Sequence, residues 1–229
     1  MIMSLTRLIR DVLRRPEAIP TPGAMIYNGT VAKVLRKPET KIANDIVENM
    51  GNGTILDLGS GTGYLSIEVA KRRPGLQAYG IDLSRQMVKI ARCHAEGVEN
   101  ATFVYGNAAK LPFRDDSIDL VISTGSLHHW KMPGRVFDEC YRVLKPGEEA
   151  WIYDGCPDVF KNQSDRRRIK REYGFLVYRL GPRVAKVHGF SMEEYQTEIK
   201  GILDGTPFKG SYWMALTDIW VKITLKKHN

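Results

Sequence analysis

Cysteine is scarce in this 229-residue chain: Cys93, Cys140 and Cys156 are too few and too scattered for a disulfide framework or a cysteine-rich zinc site. That usage fits a reducing, cytoplasmic setting. No run of apolar residues approaches the ~18 needed to cross a bilayer. The first twenty residues, MIMSLTRLIRDVLRRPEAIP, lack an uninterrupted apolar stretch and a small-residue cleavage site, so they do not read as a secretory leader. Repeats and low-complexity tracts are absent. No GxxxxGK[ST] occurs, which disfavours a P-loop nucleotidase, and no GxGxxG dinucleotide loop occurs.

Positive charge is plentiful but not evenly spread. The formal net charge is +8. Residues 1–50 carry +3, residues 51–160 carry −2, and residues 161–186 alone carry +7, leaving the remainder balanced. Hydrophobic residues make up 43% of the chain, enough for a substantial core. The basic surplus is therefore local, and it does not by itself mark a nucleic-acid binder.

The hydrophobic pattern predicts one compact α/β domain. Leu5, Leu8, Ile9, Val12 and Leu13 recur at helical spacing among arginines, as a cap on the domain, a partner-binding helix or a membrane-surface helix. Residues 31–50 read as helical again, with Pro38 expected to separate a short helix from a second one ending near Met50. Strands are then expected at 54–58, 77–82, 102–106, 119–124 and 149–155, with helices from Leu65, over about 85–95, and over 136–144. Such alternation implies a mostly parallel sheet with helices on both faces. Residues 164–180 and 191–203 read as helices, the latter opened by Ser191 and Glu194 in capping-box spacing. Residues 211–216 and 219–225 read as a hairpin. Cys93 and Cys140 are expected in the core.

One segment carries chemistry. Ile55-Leu56-Asp57-Leu58-Gly59-Ser60-Gly61-Thr62-Gly63 places alternating glycines between a strand and a helix, where a backbone must turn sharply and approach a ligand closely. Asp82 ends the next strand, where a carboxylate can accept hydrogen bonds from a ribose diol. Asp57 adds a second carboxylate just before the loop, which suits a ligand bearing a positive amine better than one bearing two phosphates.

With these residues in view, the chain resembles the class I S-adenosylmethionine-dependent methyltransferases of the methyltransferase domain 11 type. The matching elements are LDLGSGTG (56–63), GIDLS (80–84), GNAAKLPFRDDSIDLV (106–121) with STGSLHHW (123–130), and RVLKPGE (142–148). The resemblance implies a Rossmann-like, mostly parallel seven-stranded sheet with an antiparallel C-terminal strand. It divides the chain into an N-terminal cap over 1–50, a cofactor-binding core over 51–156, a helical substrate lid over 157–205 and a C-terminal hairpin over 206–229.

The resemblance also implies residue roles. Gly59, Ser60, Gly61, Thr62 and Gly63 would lie beneath the methionine and ribose of S-adenosyl-L-methionine, whose product is S-adenosyl-L-homocysteine. Asp57 would orient the amine, Asp82 the ribose hydroxyls, and Leu83 and Met87 would pack near the adenine. Asn107, in place of a common Asp, would meet the adenine amino group beside Ala108. Thr124, Gly125 and Ser126 would line the floor near the sulfonium, and Tyr27 would close the pocket or touch the carboxylate end. His129 and His128 are the candidate catalytic bases, and no metal site is expected.

The acceptor is expected to be a small molecule, anionic or planar if arginines and aromatics of the lid, such as Arg166, Tyr178 and Arg183, clamp it. The alternatives are a tRNA or rRNA methyltransferase using the basic 161–186 segment, and a protein methyltransferase. STGS stands where many exocyclic-amine methyltransferases carry an Asn/Asp-Pro-Pro-Tyr/Phe tetrad, and this opposes a nucleic-acid substrate without excluding one. A homodimer is expected from the apolar termini, and no stable membrane insertion.

Overall fold

The computed structural model describes residues 31–187 and 189–229. Tyr27 and the amphipathic stretch around Leu5 lie outside these residues. Helix α1 (Val31–Asn49) leads into β1 (Gly53–Leu58), α2 (Tyr64–Arg72), β2 (Leu76–Asp82), α3 (Arg85–His94), β3 (Ala101–Tyr105) and β4 (Ile118–Thr124). Then come α4 (Pro133–Val143) and β5 (Leu144–Gly155). The kinked helix α5 (Gln163–Val187) follows, then a short helical stretch over 192–203, and finally β6 (Tyr212–Thr217) and β7 (Trp220–Lys226).

All seven strands form one sheet in the order β3-β2-β1-β4-β5-β7-β6. The first five pair in parallel, and β7 runs antiparallel to both β5 and β6. The antiparallel strand expected at the C-terminus is thus β7, inserted between β5 and the edge strand β6. Strand order reverses between β1 and β4, and in an open sheet the cleft at the carboxyl ends of such strands is where ligands bind. The glycine loop after β1 and the loop after β4 meet at that cleft.

Side-chain alternation sorts the core into two layers. Leu56, Leu58, Val121 and Ile152 face α4 and its Val136, Phe137, Cys140 and Val143. Ile55, Leu120, Ile122 and Tyr153 face the other way, against Ile42, Ile46 and Val47 of α1 and Leu65 and Val69 of α2. Two-residue periodicity therefore commits Asp57 to the α1–α2 side and Asp154 to the α4 side.

Pro38 and Cys93 depart from the expectations, and two elements run longer than expected: β5 starts at Leu144 rather than 149, and α5 continues past 180 to Val187. Pro38 does not break the first helix; Val31–Asn49 continues through it. In the turn that contains the proline, the Thr40 hydroxyl donates to the Arg36 carbonyl at 2.8 Å, and the buried Ile42–Ile46 face holds the helix against the sheet. Cys140 is buried as expected, but Cys93 is exposed. The buried side of α3 is filled by Met87, Val88 and Ala91, and Cys93 falls outside that arc.

Farther along, Ser191 caps its helix in the expected box, its Oγ accepting from the Glu194 N–H while Glu194 accepts from the Ser191 N–H. The β6–β7 turn takes Asp218 into the left-handed region (φ 56°), a conformation that Asp tolerates better than most side chains.

Candidate functional site

The glycine loop is shaped by what a side chain would strike. Gly59, Gly61 and Gly63 all have positive φ (70°, 53° and 79°). A Cβ at Gly63 would lie 2.6 Å from the Phe103 ring, and one at Gly59 would lie 2.8 Å from Ser126 Cβ. At Gly61 a Cβ would meet nothing within 4 Å. The two outer glycines are thus demanded by packing, and the middle one keeps space open. Main-chain N–H groups of Gly59 and Ser60 both donate to the Ile81 carbonyl (2.8 and 3.1 Å), stitching the loop to the end of β2.

Two carboxylates frame this space, and a third joins them. Asp57 is buried; its Oδ2 accepts from the Ser66 hydroxyl at 2.7 Å, whereas Oδ1 has no hydrogen-bond partner. Burial pushes its carboxyl up to about 7, with the Ser66 hydroxyl opposing and the charge of Asp82 adding to the rise. Asp82 accepts from the Gly61 N–H at 2.9 Å and the Ser84 N–H at 2.7 Å. Its carboxyl is still raised above the ordinary range, because burial outweighs those two bonds.

The third carboxyl belongs to Glu39 of α1, which lines the cleft with Asp57, Gly59, Ser60, Gly61, Thr62, Tyr64, Leu65 and Thr124. Burial, and then the charge of Asp57, raise Glu39 to about 8 against the pull of Arg36. Glu39 had not been anticipated. The signal was legible: Glu39, Ile42, Ala43 and Ile46 share one helical face, so an acid stands in line with core positions.

The expected site residues divide by the face they occupy. Asp57, Thr62 and Thr124 join the glycines at the cleft. The Ser60 hydroxyl is buried there with no hydrogen-bond partner. Met87 is fully buried. Asn107 uses its Oδ1 to accept from the Ala109 N–H at 2.8 Å, an Asx-turn bond within the turn that bridges Asn107 to Lys110, and this local bond competes with adenine recognition. Gly125 (φ 62°) donates its N–H to the Tyr153 carbonyl at 2.8 Å. Ser126 turns towards the strands, its Oγ 2.6 Å from that of Ser123 and 3.2 Å from the Leu58 carbonyl.

His128 does not line the cleft among these carboxylates. It is buried, with Nδ1 2.8 Å from Asp154 Oδ1, while its main-chain N–H donates to Asp154 Oδ2 at 3.1 Å. Asp154 thereby fixes both the ring and the loop that carries it. His129 is half-buried, its ring 4.1 Å from that of His128. Among the described residues, no group of three or more His, Cys, Asp or Glu side chains is arranged to hold a metal ion.

A cleft with an open glycine, an unpartnered buried serine hydroxyl and buried acids held above their ordinary range fits a polar ligand carrying positive charge. Comparison with known proteins agrees. Residues 56–152 match the family model described as "Methyltransferase domain". These residues form a class I S-adenosylmethionine-dependent methyltransferase domain.

The methyltransferase domain has relatives of several kinds. Malonyl-[acyl-carrier protein] O-methyltransferase of Methylococcus capsulatus is 31% identical over 54% of this chain and 45% of its own length. Demethylmenaquinone methyltransferase of Clavibacter sepedonicus is 31% identical over 62% of this chain and 55% of its own length. The chain therefore spans about half the length of these curated relatives. A Methanococcus maripaludis protein assigned to the S-adenosyl-L-methionine-dependent methyltransferases has a solved structure with a TM-score of 0.70 and 25% identity, covering 92% of this chain and 94% of that one. S-adenosylmethionine is the cofactor of this class, and the residues at the cleft fit it. Its positive amine and sulfonium would stand against Asp57 and Glu39, and its polar groups would meet the Ser60 hydroxyl.

Proposed function

We propose that this protein transfers a methyl group from S-adenosyl-L-methionine to a small-molecule acceptor by in-line displacement. The observation that carries the reading is the acid-flanked glycine cleft, where Asp57 Oδ1 is buried without a partner beside the open face of Gly61. Asp57 and Glu39 hold the cationic end of the cofactor and Asp82 its ribose, releasing Gly61 from its present bond. The bound cofactor supplies an electrophilic methyl group on sulfur. The chain's part is to hold an acceptor in line with it and exclude water. The curated relatives carry acceptors as unlike as malonyl-[acyl-carrier protein] and demethylmenaquinone in their names. The domain's common chemistry therefore does not name the acceptor.

The remaining assignments belong to the same reading. Helix α1 closes the cofactor side of the cleft through Glu39, residues 157–205 form the lid over the acceptor, and the protein works in the cytoplasm as a homodimer. His129, the less buried of the pair, is the base if the acceptor needs one, and His128 positions it from the Asp154 bond. An RNA acceptor is the second reading, favoured by the exposed cations of α5. Calorimetry with S-adenosylhomocysteine tests the first reading directly. Binding of that ligand, and none of a nicotinamide dinucleotide, is expected; failure to bind it would remove the proposal. Homocysteine-release assays over thiol, phenol, quinol, carboxylate and tRNA acceptors then separate the substrate classes.

A further inference from the structure

Helix α5 bears a surface that the cofactor cleft does not explain. Its geometry changes at Gly174, whose φ of 86° and ψ of 176° are not helical, so the second half of the helix takes its own direction. The inner side of that half is packed. A Cβ at Gly181 would lie 2.7 Å from the Phe160 ring, and Ala185 is buried. The outer side is apolar and open. Phe175, Leu176, Leu180 and Val184 are 64%, 55%, 42% and 51% exposed. Four-residue spacing aligns Leu176, Leu180 and Val184 in one stripe. Arg179 and Arg183, each one residue earlier, run beside it, and Lys186 extends the exposed basic side. Exposed Arg167, Lys170 and Arg171 continue the positive charge through the first half of the helix.

From this surface we infer that the protein docks reversibly on anionic lipid bilayers through the outer face of α5. The pairing of an aliphatic stripe with a row of arginines matches the boundary where acyl chains meet negative headgroups. Other occupants fit less well. A second copy of the same face would bring arginine against arginine. The stretch before residue 31 repeats the positive sign with Arg7, Arg10, Arg14 and Arg15. RNA would satisfy the cations but leave four large apolar side chains in water. Docking is peripheral, because among the described residues no helix is long and apolar enough to cross a membrane. The inference stands independently of the methyl-transfer reading.

Co-sedimentation of the full chain with phosphatidylcholine vesicles, with and without phosphatidylglycerol, tests it. Binding is expected only to the anionic vesicles and should weaken as salt rises. Arg179→Glu with Arg183→Glu should reduce partitioning by more than roughly fivefold per residue. Leu176→Ser with Leu180→Ser should reduce it about tenfold or more, even at low salt. A cooperative thermal unfolding transition like the parent's, followed by circular dichroism, reports whether each variant is folded. The arginine pair keeps the test alive if the serine pair fails to fold. Absence of binding, equal binding to neutral vesicles, or serine variants that bind like the parent would each overturn the inference. So would RNA binding lost in the arginine variants and kept in the serine variants, or a concentration-dependent dimer lost in the serine variants without vesicle binding.

Discussion

Asp57 and Glu39 should make cofactor binding depend on pH in a direction opposite to the stability of the empty protein. Asp57 stands at about 7 and Glu39 at about 8, both because burial disfavours the charged form. A cationic ligand favours the ionised form, so binding should expel protons wherever the free site holds them. For Asp57 alone, linkage gives an affinity gain of about tenfold between about pH 6 and pH 8. If Glu39 follows fully, the combined gain approaches several hundredfold.

The unliganded chain should behave in the reverse sense. Both groups bind protons more tightly when folded than when unfolded, so their contribution favours the folded state at low pH. It is lost as pH rises from the ordinary carboxylate range to about 7 for Asp57 and about 8 for Glu39. Calorimetric titration of S-adenosylhomocysteine in buffers of different ionisation enthalpy measures the released protons directly. Asp57→Asn should weaken binding by roughly 10- to 100-fold, the magnitude of a hydrogen bond to a charged group, and flatten part of the pH profile. An affinity that is level across this range, with no proton released, would refute the electrostatic reasoning.

Four further outcomes follow from the geometry. Gly63→Ala should lower stability by about 1–3 kcal/mol in chemical denaturation, since its Cβ would strike Phe103 from a left-handed backbone. Gly61→Ala has free space and should cost only about 1–2 kcal/mol, while reducing cofactor affinity by intruding on the cleft. Asp154→Ala leaves buried His128 without this partner and should cost roughly 1–3 kcal/mol; its effect on turnover should reappear in His128→Ala if the pair acts as a unit. Asp218 joins the β6–β7 turn to Arg168 (2.6 Å) and to Tyr173 of α5, and to Lys41 of α1 (3.1 Å). Asp218→Asn tolerates the left-handed backbone but loses the charge, so limited proteolysis should cut α5 near Gly174 several-fold faster than in the parent.

Much of the architecture was legible because the relevant signals are local. Apolar runs ending in turn residues marked every parallel strand, and the Ser191–Glu194 spacing marked its helix start from two side chains. Gly59, Gly61 and Gly63 announced a sharp turn free of Cβ atoms, and the structure takes all three into the left-handed region. Pro38 was misleading because a local rule for breaking helices yielded to a buried face that spans the proline. Cys93 was misleading because residue type says less about burial than the angle at which a helix meets its sheet.

By itself, the sequence determined the order of strands and helices, the glycine loop, and the acids at the ends of β1 and β2. Those features depend on neighbours a few residues apart. Tertiary structure decided which distant groups share an environment. It brought Glu39 from α1 to the same cleft as Asp57, and turned His128 to Asp154 on the opposite face of the sheet. It spent Arg168 on Asp218 while leaving Arg179 and Arg183 outside. Charge and hydropathy can be counted along a chain, but desolvation and pairing exist only after the chain has packed.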